Sequence, residues 1–215
     1  MSDPYTAPEF TAAALVTIDV QRDTLDGAPL EIPGTSAALP RMRALLDAFR
    51  AAARPVVHIV RLYEADGGNV DVCRRRMVQD GAQILAPDAT GSQLAGELQP
   101  KPDLRLDAEL LLGGGVQSLG ASEVAIYKPR WGAFYHTPLE DYLRENGVST
   151  LVFCGCNFPN CPRTSIYQAS ERDFRVVLVR DATSALYERG ERELTDIGVH
   201  LMSATTAIDA LGSRR

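Results

Sequence analysis

Short, nearly unbroken apolar runs alternate along this chain with stretches whose apolar residues recur at helical spacing. Ala14-Leu15-Val16-Thr17-Ile18-Asp19-Val20 is the first run, and it closes on a carboxylate. Such runs suit strands covered on both faces, as in parallel sheets. Met42, Leu45, Leu46, Phe49 and Ala53 then follow a helical period, with Pro40 tolerable in the first turn. Pro55 to Val60 is a second buried strand, so the opening third reads as a strand-helix-strand unit.

The pattern weakens from Arg61 to about Ser122, where only Val70 to Gln79 suggests a short helix. An excursion this long in a compact domain is expected to shape a binding site. Regularity returns at Glu123 to Lys128, a third strand ending in a cation. Thr137, Pro138 and Glu140 have the spacing of a capping box opening a helix that stops near Gly147. Thr150 to Cys154 is a fourth strand, Pro162 opens the next helix, and Val176 to Val179 is a fifth strand. A last amphipathic helix from about Gly190 leads into Met202 to Leu211, with room for a short edge strand between. The expected architecture is α/β: one domain with a doubly wound, mostly parallel sheet and helices on both faces. Residues 1–12 read as an N-terminal arm, 13–215 as the domain, and 61–122 as an insertion that shapes the pocket.

Composition narrows the function classes. The chain has 215 residues, 45% hydrophobic and 23% charged, enough for a core without staples. A net charge of -6 and scattered cations, apart from Arg74-Arg75-Arg76, offer no face for nucleic acid. No apolar stretch approaches the ~20 residues that span a bilayer. The first twelve residues contain no Lys or Arg and do not resemble a signal peptide. Four cysteines in a chain this long suit free thiols in a reducing, cytoplasmic setting.

Asp19, Lys128 and Cys161 all fall at carboxyl ends of expected strands, which share one edge of a parallel sheet. Cys161 lies in Gly155-Cys156-Asn157-Phe158-Pro159-Asn160-Cys161, at the entry to a helix. Helix N–H groups and a nearby Lys128 are expected to lower its thiol pKa. Asp19 can take the thiol proton, and N–H groups near residues 157 and 161 can hold an oxyanion. Taken singly, each residue has an ordinary reading: a turn-forming Asp, a solvated Lys, a buried small hydrophobe. That ordinary reading suits Cys154 and Cys73. A C-x-C pair without a matching second pair is a poor zinc site. No G-x-S-x-G or phosphate loop is present. His58 reads as strand interior, His200 as a face of the last helix, and His136 either as a residue that reaches the pocket or as part of an exposed turn.

Three stretches together, ALVTIDVQRD, YKPRWGAFYHTPLEDYLRENGVSTLVFCGCNFPNCPRTS and FRVVLVRDATSA, resemble the isochorismatase-like cysteine hydrolase family. The resemblance implies a Rossmann-like sheet, an Asp19-Lys128-Cys161 triad and a cis peptide between Cys156 and Asn157. It also implies a homodimer or homotetramer whose pocket is bordered by a neighbouring chain. Nicotinamidases in the family carry an Asp and His metal cluster after the second strand; here Glu64, Asp66 and Asp71 stand there without a His, so neither metal nor other cofactor is expected. Members that cleave a vinyl ether lack the cysteine, so Cys161 favours hydrolysis of a small amide, lactam or ureido substrate through a thioester. Candidate substrate and oxyanion residues are Cys156, Asn157, Gln21, Trp131, Phe134, Tyr135, Tyr63 and Arg163, with Arg61 and Arg130 as further cations for a carboxylate or carbonyl. Two alternatives stay open: non-covalent enol-ether hydrolysis with Asp19 as acid, and a silent thiol redox or binding protein pairing Cys156 with Cys161.

Overall fold

The computed structural model describes residues 3–212, so the outermost residues of the expected arm and domain lie outside the described residues. Its centre is a seven-stranded sheet in the order β3-β4-β2-β1-β5-β6-β7. The strands are β1 (Ala13–Ile18), β2 (Val56–Val60), β3 (Val116–Gly120), β4 (Glu123–Tyr127), β5 (Thr150–Gly155), β6 (Arg175–Thr183) and β7 (His200–Met202). All pairings are parallel except that of β3 with β4. Every residue of β1, β2 and β5 is buried, which is why these strands read as continuous apolar runs.

The helices are α1 (Thr35–Ala51), α2 (Val72–Gln79), α3 (Ala108–Leu112), α4 (Leu139–Glu145), α5 (Cys161–Ser170), α6 (Glu188–Asp196) and α7 (Ala204–Gly212). One sheet face, with Val16, Ile18 and Phe153, packs against Leu139, Leu143, Ile166 and Leu194 of α4, α5 and α6. The other, with Leu15 and Val177, packs against Met42, Leu45 and Phe49 of α1 and Ala207 of α7. The 61–122 excursion carries a small cluster of its own around Tyr63, Val70, Val78 and Leu85.

Several expectations are corrected. His200 pairs with Val177 in β7 and is not on a helix, because the edge strand forms before α7 begins. The capping box at α4 does not form: the Thr137 hydroxyl donates to Ala133 O at 2.6 Å, and Glu140 pairs with Arg172 at 2.9 Å. Helix α1 starts at Thr35, one turn earlier than the apolar spacing suggests, and Pro40 lies inside it. Strand β3 and helix α3 are additional elements; β3 is a half-exposed edge strand with little apolar pattern to reveal it. The end of the N-terminal arm is docked on its own chain: Glu9 N donates to Thr150 Oγ1 at 2.9 Å, and Glu9 pairs with Arg175.

Candidate active site

Strand order reverses between β1, whose other neighbour is β2, and β5, and a crevice opens there at the carboxyl edge. Register brings the chemistry to one level. Ile18 lies opposite both Ile59 and Gly155, and Val60 lies opposite Tyr127. The next residue of each strand, or the one after, is therefore Asp19, Arg61, Cys156 or Lys128. Gly155 permits this convergence. Its φ is +121°, and a Cβ there would sit 2.3 Å from Ile18 O, so β5 can close on β1 only with glycine at its end.

Asp19 and Lys128 are both buried, and Lys128 Nζ donates to Asp19 Oδ2 at 2.8 Å. Asp19 Oδ1 is buried without a hydrogen-bond partner among the described residues. The backbone anchors both groups: Asp19 N donates to Ile59 O at 2.9 Å and Lys128 N to Val60 O at 3.0 Å. Cys161 is the first residue of α5 and 6% exposed, and its thiol interacts with both Asp19 and Lys128. Its carbonyl accepts from Ser165 Oγ at 2.7 Å. The Cys156–Asn157 peptide is cis.

The expected lowering of the thiol pKa is overturned. Burial, then the Asp19 carboxylate, pushes Cys161 up to about 12, and Lys128 offsets only part of this. The resting group is a thiol, and deprotonation requires a base at the moment of attack. Asp19, with one oxygen unpartnered, is the carboxylate at hand. Cys156 is also pushed up to about 12, by burial and then by Asp19, and its thiol donates to Asp19 O at 3.0 Å. It braces the Asp19 backbone.

Asp19, Cys156, Asn157 and Cys161 line a cavity of about 20 Å³. Arg61 and Arg74 form another part of its wall, and Thr24, Leu30, Ile32, Leu85 and Asn160 complete it. Arg74, Leu30, Ile32 and Leu85 escaped the sequence reading, which weighed the Arg74-Arg75-Arg76 run only as a face for nucleic acid. The remaining candidates fall elsewhere. Gln21 is a structural clamp: its amide bonds Arg61 O and Ser92 O and accepts from Arg61 N. Phe134 is core, against Phe174, and Tyr135 is about half exposed, edge-on to His136. Arg163 leaves the site and pairs with Glu193 at 2.6 Å and the Tyr187 hydroxyl at 2.9 Å, because its helix face turns toward α6. Arg130 bonds the carbonyls of Asn69 and Pro129. Tyr63 and Trp131 sit behind the wall: the Tyr63 hydroxyl accepts from Arg74 at 3.1 Å, and the Trp131 ring lies 5.0 Å from the Arg74 guanidinium. No group of three or more His, Cys, Asp or Glu side chains among the described residues is arranged to hold a metal ion. No helix among them is long and apolar enough to cross a membrane.

The isochorismatase domain model matches residues 13–110 and 114–208, which include the three converging positions. The chain belongs to the isochorismatase family. Within this family it is 30% identical over 208 residues to the maleamate amidohydrolase of Pseudomonas putida, covering 94% of this chain and 86% of that one. It is 27% identical over 181 residues to a probable inactive nicotinamidase of Arabidopsis thaliana, covering 83% and 84%. An isochorismatase family protein from Desulfovibrio vulgaris has the same fold, with a TM-score of 0.80 and 28% identity over 94% of this chain and 99% of that one. The expected family and fold are borne out, and the chain is a hydrolase.

Proposed function

We propose that this isochorismatase-family hydrolase cleaves the C–N bond of a small amide, lactam or ureido compound through a thioester on Cys161. The observation that carries the reading is the joint burial of Asp19, Lys128 and Cys161 about one crevice, with Asp19 Oδ1 left unpartnered. The amidohydrolase activity in the name of the Pseudomonas putida relative supports the same bond type.

As Cys161 Sγ bonds to the substrate carbonyl carbon, its proton passes to Asp19 Oδ1. The N–H groups of Asn157 and Cys161, the latter opening α5, receive the negative oxygen. Collapse breaks the C–N bond, and Asp19 returns the proton to the leaving nitrogen. Water then gives a proton to Asp19 and attacks the thioester, and the proton goes back to sulfur as the acid departs. Lys128 Nζ, 2.8 Å from Asp19 Oδ2, holds the carboxylate in position between these transfers. A thiol with a pKa of about 12 fits this sequence, since proton and sulfur move together.

A cavity of about 20 Å³ holds little more than one water, so substrate entry requires movement of the wall carrying Leu30, Ile32, Arg74 and Leu85. The reading includes a homodimer or homotetramer, supported by the exposed Val72 and Met77 on α2 behind that wall; light scattering on the purified chain tests it. The activity is tested by ammonia or amine release from a panel of small amides. Turnover by the native chain and its loss in Cys161→Ala are expected. Undiminished turnover in Cys161→Ala excludes the covalent route and favours a non-covalent one with Asp19 as the acid.

A further inference from the structure

Resting on the amide-hydrolase reading, we infer that Ser165 is a positioning residue for the nucleophile, its hydroxyl tying Cys161 to the turn that follows Lys128. Ser165 is fully buried in the second turn of α5. Its Oγ donates to Cys161 O at 2.7 Å and accepts from Ala133 N at 3.0 Å. A serine bonded back to the carbonyl four residues earlier is an ordinary helix arrangement. The second bond comes from outside the helix, because Ala133 lies in the segment five residues beyond Lys128. One hydroxyl thus holds backbone on two sides of the site. Gln168, one turn further along α5, adds a parallel link, its Oε1 accepting from Phe134 N at 3.0 Å. The same side chain fills the space over Gly132, where a Cβ would come within 2.2 Å of it.

Two features of this chain give the link its importance. Cys161 opens α5 although it precedes Pro162, and a residue before proline is pushed from the helical conformation toward an extended one. The bond from Ser165 holds the Cys161 carbonyl against that push, and with it the directions of Sγ and of the Cys161 N–H. The other feature is the cavity wall. Trp131, in the turn after Lys128, lies against the Arg74 guanidinium at 5.0 Å, and Arg74 belongs to the wall that moves for substrate entry. Lys128 is anchored on the sheet side, its N–H donating to Val60 O at 3.0 Å. Ser165 and Gln168 anchor the turn that follows it. The wall can then move without drawing Lys128 and Asp19 away from Cys161.

Removing the hydroxyl tests the assignment. Ser165→Ala strands the Ala133 N–H and frees the Cys161 carbonyl. With the best amide of the panel, kcat is expected to fall about 10- to 100-fold, the scale of a 1 Å misplacement, with KM within about twofold of native. Ser165→Thr keeps a hydroxyl that can reach the same carbonyl and is expected to restore most of kcat. Gln168 is half-buried, so Gln168→Ala gives up its link at less risk to the fold; a several-fold loss of kcat at unchanged KM is expected there. A second reading needs no turnover: alkylation of Cys161 by iodoacetamide, followed against pH by mass spectrometry of the Cys161 peptide. In Ser165→Ala the rise is expected at lower pH than in the native chain, as the thiol leaves its burial beside Asp19, and in Ser165→Thr at the native pH. A serine that only stabilises the fold would lower the unfolding midpoint and leave both kcat and the alkylation profile of the folded chain as they are. Native kcat in Ser165→Ala, or in Gln168→Ala where Ser165→Ala does not fold, overturns the assignment. So does a loss confined to KM, a Ser165→Thr no better than Ser165→Ala, or an alkylation profile that Ser165→Ala leaves in place. Absence of ammonia release from every amide sinks the hydrolase reading alone, and the alkylation profile then decides the role of Ser165.

Discussion

Replacing Lys128 by Met tests the buried pair at its most exposed assumption, that Lys128 is the ion-pair partner of the Asp19 carboxylate. The Lys128 side chain is fully buried, Asp19 is 9% exposed, and the two atoms are 2.8 Å apart. Methionine keeps most of the volume and removes the charge. What remains is a buried carboxylate that has lost its ion-pair partner, with Oδ1 already lacking a hydrogen bond. Removing one member of a buried ion pair costs ~3–5 kcal/mol, largely because the other charge is stranded. A screened Coulomb energy agrees: two charges 4 Å apart at an effective dielectric constant of 20 attract by ~4 kcal/mol. Urea unfolding at fixed protein concentration should therefore show Lys128→Met less stable by ~3–5 kcal/mol with an unchanged m-value. The double variant Asp19→Asn/Lys128→Met should recover at least ~2 kcal/mol of that loss, because no charge is left buried. A single variant within ~1 kcal/mol of native, or a double variant with strictly additive losses, refutes the pairing argument.

Three further outcomes follow from the same structure. Burial pushes Cys154 and Cys156 up to about 12, as it does Cys161, whereas an unfolded thiol titrates near 9. The folded state thus keeps protons that the unfolded state loses, so stability is level below pH 9 and falls as pH rises toward 12, by at most ~1.4 kcal/mol per pH unit per thiol. Urea midpoints at pH 8.5 and 10.5 check this, and equal midpoints would contradict it. At the acid end, burial opposes ionisation of Glu123, yet hydrogen bonds from Arg50 and His58 hold its carboxyl down at about 2. That contribution is present above pH 4.5 and is lost as pH falls toward 2; Glu123→Gln should flatten this limb of the stability profile. Gly155→Ala must force a Cβ against Ile18 O and strain a φ of +121°, so it should cost upwards of ~2 kcal/mol and most of the activity, measured by thermal unfolding and amide turnover.

Much of the fold was legible because buried parallel strands write themselves as apolar runs. Ala14 to Ile18, Val56 to Val60 and Thr150 to Cys154 are visible for that reason. Their common direction then put Asp19, Lys128 and Cys161 at one edge. What was not legible depended on contacts made by the fold as a whole. Strand β3 is an edge strand with two exposed and two half-exposed residues, so it carries no apolar signature. His200 joined the sheet because the β6 edge was free to pair, a tertiary fact. Gln21 looked like a substrate ligand, but its amide is spent on Arg61 and Ser92. The thiol pKa went the other way because the helix terminus and Lys128 were visible in sequence, whereas burial beside Asp19 was not. Arg74 was hidden in a basic run whose member Arg76 is 93% exposed; only the fold of the 61–122 segment brings Arg74 to the cavity wall.

The central claim is that Cys161 forms the acyl-enzyme. Rapid acid quench during turnover of any amide that yields ammonia, followed by mass spectrometry of the Cys161 peptide, addresses it directly. The account predicts the acyl mass on Cys161, its decay by hydrolysis, and its absence along with turnover in Cys161→Ala. Steady turnover by Cys161→Ala, with no acyl mass on the native Cys161, would contradict it.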